Sequence, residues 1–230
     1  MYMLSIITAC SRQQNLQKVL GSINFNLVER WIIVYDTSKS RSYTKIFEKY
    51  PKIKEVECDT PGVCGHPQIN YALDMITDGF VYILDDDNVI HPNFWNVFKT
   101  LDINYIYTWD QVRGFNRTTK DYIVLKGGNI DKGEIDTAQF IVPKKYIDET
   151  RWVVDQRFGD FHFIKEIHDK YNEFFKYIPI QCAFFNRLQP SFFTNDILVK
   201  IQKTEVNKNR NKKTPNIIRE NWITELNTRL

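Results

Sequence analysis

The sequence predicts an α/β protein with a mostly parallel central sheet flanked by helices, followed by a region of mixed strands. Three observations carry this. Of four short strand-like runs in the first half, the first, second and fourth are apolar and carry β-branched residues, with no polar alternation to mark a wet face. Helix-spaced apolar residues lie between the first and second runs and before the fourth. Polar and acidic residues collect where several of the runs end. Strands apolar on both faces belong to parallel sheets covered by helices.

In chain order, Leu4–Ala9 reads as a buried strand, and Leu16, Val19, Leu20 and Ile23 then fall at helical spacing. Trp31–Tyr35 is the second strand, ended by Asp36-Thr37-Ser38. Tyr43 to Lys49 is expected to be a charged helix, and Ile53–Cys58 a third strand. Pro67 suits the first turn of a helix whose Ile69, Ala72, Leu73 and Ile76 share one face. Phe80–Leu84 is the fourth strand. Beyond Asn93, a helix, two strands (YIYTWD and DYIVL), a loop and a strand at about Ala138–Val142 are expected. GDFHFIKEIHDKY reads as a helix with Asp160 at its N-cap, and IPIQCAFFN as a late strand. Residues 200–213 carry six Lys or Arg against Glu205, and a short helix is expected from about Ile217. The expected division is one catalytic domain over 1–199 and a basic tail over 200–230. That tail is read either as a lid or, by default for a charge run, as a solvated segment.

At 230 residues and 43% hydrophobic content, the chain can bury one sizeable core. Aromatics at 14% argue against disorder. A net charge of +3 makes no demand for nucleic acid or a membrane surface. The apolar N-terminal run lacks a basic leader and is too short to span a bilayer, so a soluble cytoplasmic protein is expected. On that expectation the sequon Asn116-Arg117-Thr118 is chance. Cys58 and Cys64, with His66, are spaced more widely than usual zinc ligands; reduced thiols are the better reading. No GxSxG, GxxxxGK[ST] or HExxH pattern occurs.

The segment with most chemical content is VYILDDDNVIHP. Asp85, Asp86 and Asp87 follow a buried strand directly. Adjacent like charges raise one another's free energy, so a partner is implied: a divalent cation, a sugar hydroxyl, or both. In open α/β sheets ligands bind beyond the carboxyl ends of the strands. The residues Thr8–Arg12, Asp36 and the acid run are all expected there.

SIITACSR, VYDTS, YILDDDNVIHP and GNIDKGEIDTAQFIVP together resemble GT-A-fold glycosyltransferases of the family-2-like, inverting, DxD type, over roughly residues 3–190. The resemblance implies a Rossmann-like GT-A fold with a donor half near 1–92 and an acceptor half near 93–199. It implies transfer of a sugar from a nucleotide-sugar donor, UDP-linked by preference, to a glycan or glycoconjugate hydroxyl, with Mn²⁺ or Mg²⁺. A hard cation bridging both phosphates would stabilise the charge on the departing nucleoside diphosphate. On this reading Asp87 is the direct metal ligand. Asp85 and Asp86 share the ribose hydroxyls and metal-bound water, with Asp85 as a second metal contact. Asp36 accepts hydrogen bonds from the base or ribose, or else forms an ordinary Asx turn. Thr8 and Arg12 face the donor, Arg12 toward a phosphate or the base unless it is simply solvated. Asn70 is placed near the donor, or points to water.

The base that takes the acceptor proton is expected at a helix start in the second half, where RFGDFHF supplies Asp160. Gly159 stands where the resembled enzymes often have Glu. Asp155 and then Asp136 are the next candidates, and a plain N-cap is the alternative role for Asp160. His162 is either a metal or diphosphate contact or a packed side chain. Asp136, Thr137 and Gln139 are expected to border the sugar or acceptor, and Trp109 to stack on a sugar face or sit in the core. The competing classes are a nucleotidyltransferase, disfavoured because TACSRQQN lacks glycine; a metal-dependent nuclease, disfavoured by the charge balance; and a non-catalytic carbohydrate-binding protein.

Overall fold

The computed structural model describes residues 2–38, 42–116 and 121–189. The expected basic tail and its terminal helix therefore lie outside the described residues. Four parallel strands form one half of the sheet: β1 (Leu4–Cys10), β2 (Arg30–Asp36), β3 (Ile53–Cys58) and β4 (Phe80–Ile83). Their spatial order is β3-β2-β1-β4. Successive strands step outward from β1 to β3, and β4 then returns to the other side of β1. That reversal opens a crevice at the carboxyl ends of β1 and β4.

The sheet continues as a mixed region. β8 (Phe140–Pro143) runs antiparallel to β4, and β6 (Ile106–Asn116) antiparallel to β8. β9 (Phe175–Phe184) is parallel to β6, the two-residue β5 (Val89–Ile90) is antiparallel to β9, and β7 (Asp121–Leu125) pairs with β6 off this path. The acid run therefore sits where β4 gives way to the mixed half.

Alternation along each strand explains the two cores. Leu4, Ile6, Trp31, Ile33, Phe80 and Tyr82 face one layer, closed by α1 (Leu16–Leu20) and α3 (Asn93–Phe98). Ile7, Ile32, Val34, Val81 and Ile83 face the other, closed by α2 (His66–Leu73), α4 (Lys144–Ile147) and α5 (Gly159–Tyr171).

Two local expectations are corrected. Residues 43–47 form no helix, because the Glu55 carboxylate accepts from the backbone N–H groups of Ile46 (3.0 Å) and Phe47 (2.8 Å), while Phe47 is fully buried. A helix there would have to give up both bonds. Asp160 is not the N-cap of α5. Phe158 holds that position with φ 63°, and Asp160 lies in the first turn.

Candidate active site

A cavity of about 380 Å³ opens at the carboxyl ends of β1, β2 and β4. Arg12, Asp36, Asp85, Asp86, Asp87, Thr137 and Asp160 all line it, so seven of the expected site residues meet in one place. Residues separated by up to 148 positions are gathered by the strand ends and by the start of α5.

The three consecutive acids do three different things. Asp86 is 1% exposed and faces the end of β1. Its Oδ2 accepts the N–H groups of Ser11 and Arg12, each at 2.7 Å, and the Ser11 hydroxyl at 3.3 Å; its Oδ1 accepts Arg12 Nε at 2.7 Å. The Arg12 guanidinium also reaches Asp86 at 2.5 Å and Asp87 at 2.8 Å. Asp86 lines the cavity, and its carboxylate locks the loop after β1 to the end of β4. Asp87 pairs with Arg12 and accepts from the Gln189 amide. Burial raises its pKa, against the pull of Gln189 and Arg12.

Asp85 is the uncompensated member. Its donors, the Thr137 hydroxyl (2.9 Å) and the Asn88 amide (3.2 Å), are neutral and both fall on Oδ2. Burial pushes its pKa well up, and the charges of Asp136, Asp87 and Asp160 push the same way. A half-buried carboxylate with like-charged neighbours and only neutral hydrogen-bond donors is the donor chemistry a hard metal ion satisfies. Among the described residues no three His, Cys, Asp or Glu side chains are gathered closely enough to hold an ion alone. Asp85 and Asp87 would therefore supply part of a coordination shell, the rest coming from ligand and water. That is the usual case for Mg²⁺ beside a phosphate ligand.

Asp160 lines the same cavity from the first turn of α5. Burial raises its pKa to about 7, with the Asp136 charge acting in the same direction; the Trp152 indole and the Arg113 guanidinium act against the rise. The Trp152 Nε1–H donates to Asp160 Oδ1 at 3.3 Å. Asp36 is half-buried; its Oδ1 accepts the Ser38 N–H (3.1 Å) and hydroxyl (2.5 Å) in an Asx turn.

Five other expected residues stand away from direct contact. Thr8 is fully buried, donating to Leu84 O (2.7 Å) and accepting Trp31 Nε1–H (2.9 Å). Trp109 is fully buried in the core with its N–H on Ala138 O (2.8 Å), so it has no face for a sugar. Gln139 is fully buried, with its amide donating to Trp109 O and Leu125 O, each at 3.3 Å. Asn70 spends its amide on the Trp152 backbone. Asp136, 8% exposed, is held by Gln111 (3.0 Å) and by Arg113 (3.6 Å), and it bears on the site as a buried charge behind the wall. The runner-up Asp155 is exposed, and His162 is half-buried beside Phe161, neither lining the cavity.

His66 lines the cavity and was expected only as a weak zinc candidate. Its Nδ1 lies 2.7 Å from Val153 O, and burial lowers its pKa, so the ring is neutral with Nδ1–H donating. The ring explains Gly159: a Cβ there would lie 2.4 Å from His66 Cε1. Gln189 and Trp152 also escaped the sequence reading, and Ser11 is expected there only as part of Thr8–Arg12, with no contact of its own. Ser11 and Gln189 act through contacts across 75 and 102 positions, which no local pattern announces. No disulfide joins the four cysteines; Cys64 is exposed and the others buried. No helix among the described residues is long and apolar enough to cross a membrane.

No protein-family model and no curated protein matches the sequence. Solved structures do match. A crystal structure of TarS 1-349 from S. aureus is similar with a TM-score of 0.59 at 14% identity, over 92% of this chain and 67% of that one. Against the longer S. aureus TarS structure this chain covers only 43% of the length. Glucosyl-3-phosphoglycerate synthase from Mycobacterium tuberculosis, in complex with Mn²⁺, UDP and glucosyl-3-phosphoglycerate, is similar with a TM-score of 0.54 at 11% identity, over 93% and 81% of the two chains. At such identities the likeness is one of fold. The Rossmann-like GT-A arrangement expected from the sequence is the fold observed.

Proposed function

We propose that this chain is a metal-dependent, inverting glycosyltransferase of the family-2-like, DxD type. It moves a sugar from a UDP-linked donor to a hydroxyl of a glycan or glycoconjugate. The observation that carries the reading is the meeting of Arg12, Asp36, Asp85, Asp87 and Asp160 on one cavity at the sheet's switch point. Similar structures lend support: TarS 1-349 has been solved with UDP-GlcNAc, and the mycobacterial synthase with Mn²⁺ and UDP.

The donor half, near 1–92, binds the nucleotide. Asp36, at the end of β2, keeps an oxygen for the nucleoside beyond its Asx turn. Arg12, with its side chain 39% exposed, lies where a diphosphate would meet it. Asp85 and Asp87 would hold Mn²⁺ or Mg²⁺, which when bound supplies positive charge to the diphosphate. The acceptor half, near 93–199, supplies Asp160. Its carboxylate takes the acceptor proton while the hydroxyl oxygen bonds to the anomeric carbon. The bond from that carbon to the diphosphate oxygen breaks, the electron pair leaving with UDP, and attack from the opposite face inverts the configuration. A carboxyl titrating near neutrality suits a base working at pH 7.

The test is release of UDP from UDP-N-acetylglucosamine and UDP-glucose, with and without Mn²⁺. The reading expects metal-dependent release that Asp160→Asn abolishes while UDP binding persists. Release at the wild-type rate by Asp160→Asn would remove Asp160 from the role. UDP-sugar binding without release, with or without an added acceptor, would leave a carbohydrate-binding protein.

A further inference from the structure

Behind Asp160 stands a connected set of contacts that the transfer reaction does not itself assign. The Asn70 side chain clamps the Trp152 backbone in both directions. Its Nδ2 donates to Trp152 O and its Oδ1 accepts the Trp152 N–H, each at 2.9 Å. The Trp152 ring, 2% exposed, lies stacked on Phe163 with ring centroids 3.5 Å apart and planes 17° apart. Phe163 is three residues beyond Asp160 on α5, so the indole lies along the helix's first turn. From there its N–H reaches Asp160 Oδ1 at 3.3 Å.

We propose that Asn70 and Trp152 are positioning residues: the α2 amide fixes the Trp152 backbone, and the indole N–H holds the Asp160 carboxylate toward the cavity. This rests on the reading of Asp160 as the base. The geometry argues for a dedicated arrangement over incidental packing. An indole N–H buried in a core is satisfied by any nearby carbonyl, as Trp109 and Trp95 satisfy theirs with Ala138 O and Ser22 O. Trp152 instead spends its N–H on a carboxylate that lines the cavity. An Asn side chain that both donates to and accepts from one residue fixes that residue's backbone more firmly than a single bond does.

The charged groups bearing on Asp160 are Asp136 and Asp85, which disfavour its ionised form, and Arg113, which favours it. From α2 the His66 ring packs against Gly159 and is neutral. Trp152 adds a neutral donor to the ionised carboxylate. Removing that donor therefore raises the Asp160 pKa and frees the side chain to rotate.

The test uses the ligand-free protein and then turnover. Trp152→Phe keeps the stack on Phe163 and deletes the N–H; Asn70→Ser releases the clamp from the other end. The ¹³Cγ titration of Asp160, assigned by its loss in Asp160→Asn, is expected to move up by about one unit in Trp152→Phe and by less in Asn70→Ser. The acidic limb of Mn²⁺-dependent UDP-N-acetylglucosamine hydrolysis is expected to move with it. kcat should fall roughly tenfold, with KM unchanged, because the lost bond acts on the base and not on donor binding. An Asp160 midpoint identical in wild type and both variants would overturn the proposal; if Trp152→Phe fails to fold, Asn70→Ser decides it alone. Wild-type hydrolysis by Asp160→Asn would instead sink the base assignment, leaving the titration to judge the contacts.

Discussion

Asp85 and Asp86 are neighbours in sequence, and the structure predicts opposite consequences for the same isosteric change. In Asp86→Asn, an amide must replace a carboxylate that accepts two backbone N–H groups at 2.7 Å, Arg12 Nε at 2.7 Å, and the Ser11 hydroxyl. Whichever way the amide turns, an NH₂ group faces donors, and Arg12 loses one of its two counter-charges. Breaking a fully buried ion pair costs about 3–5 kcal/mol; with Arg12 half-exposed and Asp86 buried, the loss here is about 2–4 kcal/mol. In Asp85→Asn, both protein donors fall on one oxygen, which the amide retains. The half-buried like charge beside Asp136, Asp87 and Asp160 disappears. Without metal that change should stabilise the fold by about 0.5–2 kcal/mol.

The pH dependence follows from the sign of the shift. The Asp85 pKa is raised on folding, so the group costs nothing while it is protonated in both states. It costs stability as pH rises above the ordinary value of 3.8. The advantage of Asp85→Asn should be absent at lower pH and grow above it. Urea unfolding in a chelator measures both. With a slope of about 2–3 kcal/mol/M, Asp86→Asn should lower the midpoint by on the order of 1–2 M and Asp85→Asn should raise it. Equal destabilisation by the two variants would refute the division of labour among the acids.

Other expectations concern the walls and the base. Hydrolysis should fall on acidification with a midpoint near the Asp160 value of about 7, and Asp160→Asn should reduce turnover by about 10²–10⁴-fold with little change in UDP affinity. Gly159→Ala should cost about 1–3 kcal/mol by pressing on the His66 ring, and His66→Ala in the same chain should recover part of that, read as a double-mutant cycle in thermal unfolding. Thr8→Val should destabilise by about 1–3 kcal/mol by orphaning the Trp31 N–H, while leaving UDP affinity unchanged; a selective loss of UDP affinity would return Thr8 to the donor site.

How much was legible in the sequence depended on whether the information was local. Leu4–Ala9 and Trp31–Tyr35 could be read because continuous apolar runs with β-branched residues declare doubly covered strands, whereas Ile53–Cys58, with Lys54, Glu55 and Glu57, is a part-exposed strand at the sheet edge. The place of the acids followed from the strand before them. The helix expected near Tyr43 failed because its competitor, Glu55, belongs to the next strand and pulls two backbone N–H groups out of helical use. Within the acid run, identity was legible and role was not. Three identical side chains differ only in what faces them: the β1 loop for Asp86, Arg12 and Gln189 for Asp87, and neutral donors for Asp85. Motif position suggests an acceptor contact for Gln139, and a strand end leaves Trp109 either a sugar platform or a core residue; both side chains turn into the core. The pairing of His66 with Gly159 spans 93 positions and left no local trace.

The most direct measurement is titration calorimetry of UDP into wild type and Asp87→Asn, each with Mn²⁺ and with chelator. The account predicts that Mn²⁺ and UDP bind cooperatively to wild type, each tightening the other, and that Asp87→Asn loses this coupling while remaining folded. Equal UDP affinity with and without Mn²⁺ in wild type, or no UDP binding at all, would contradict it.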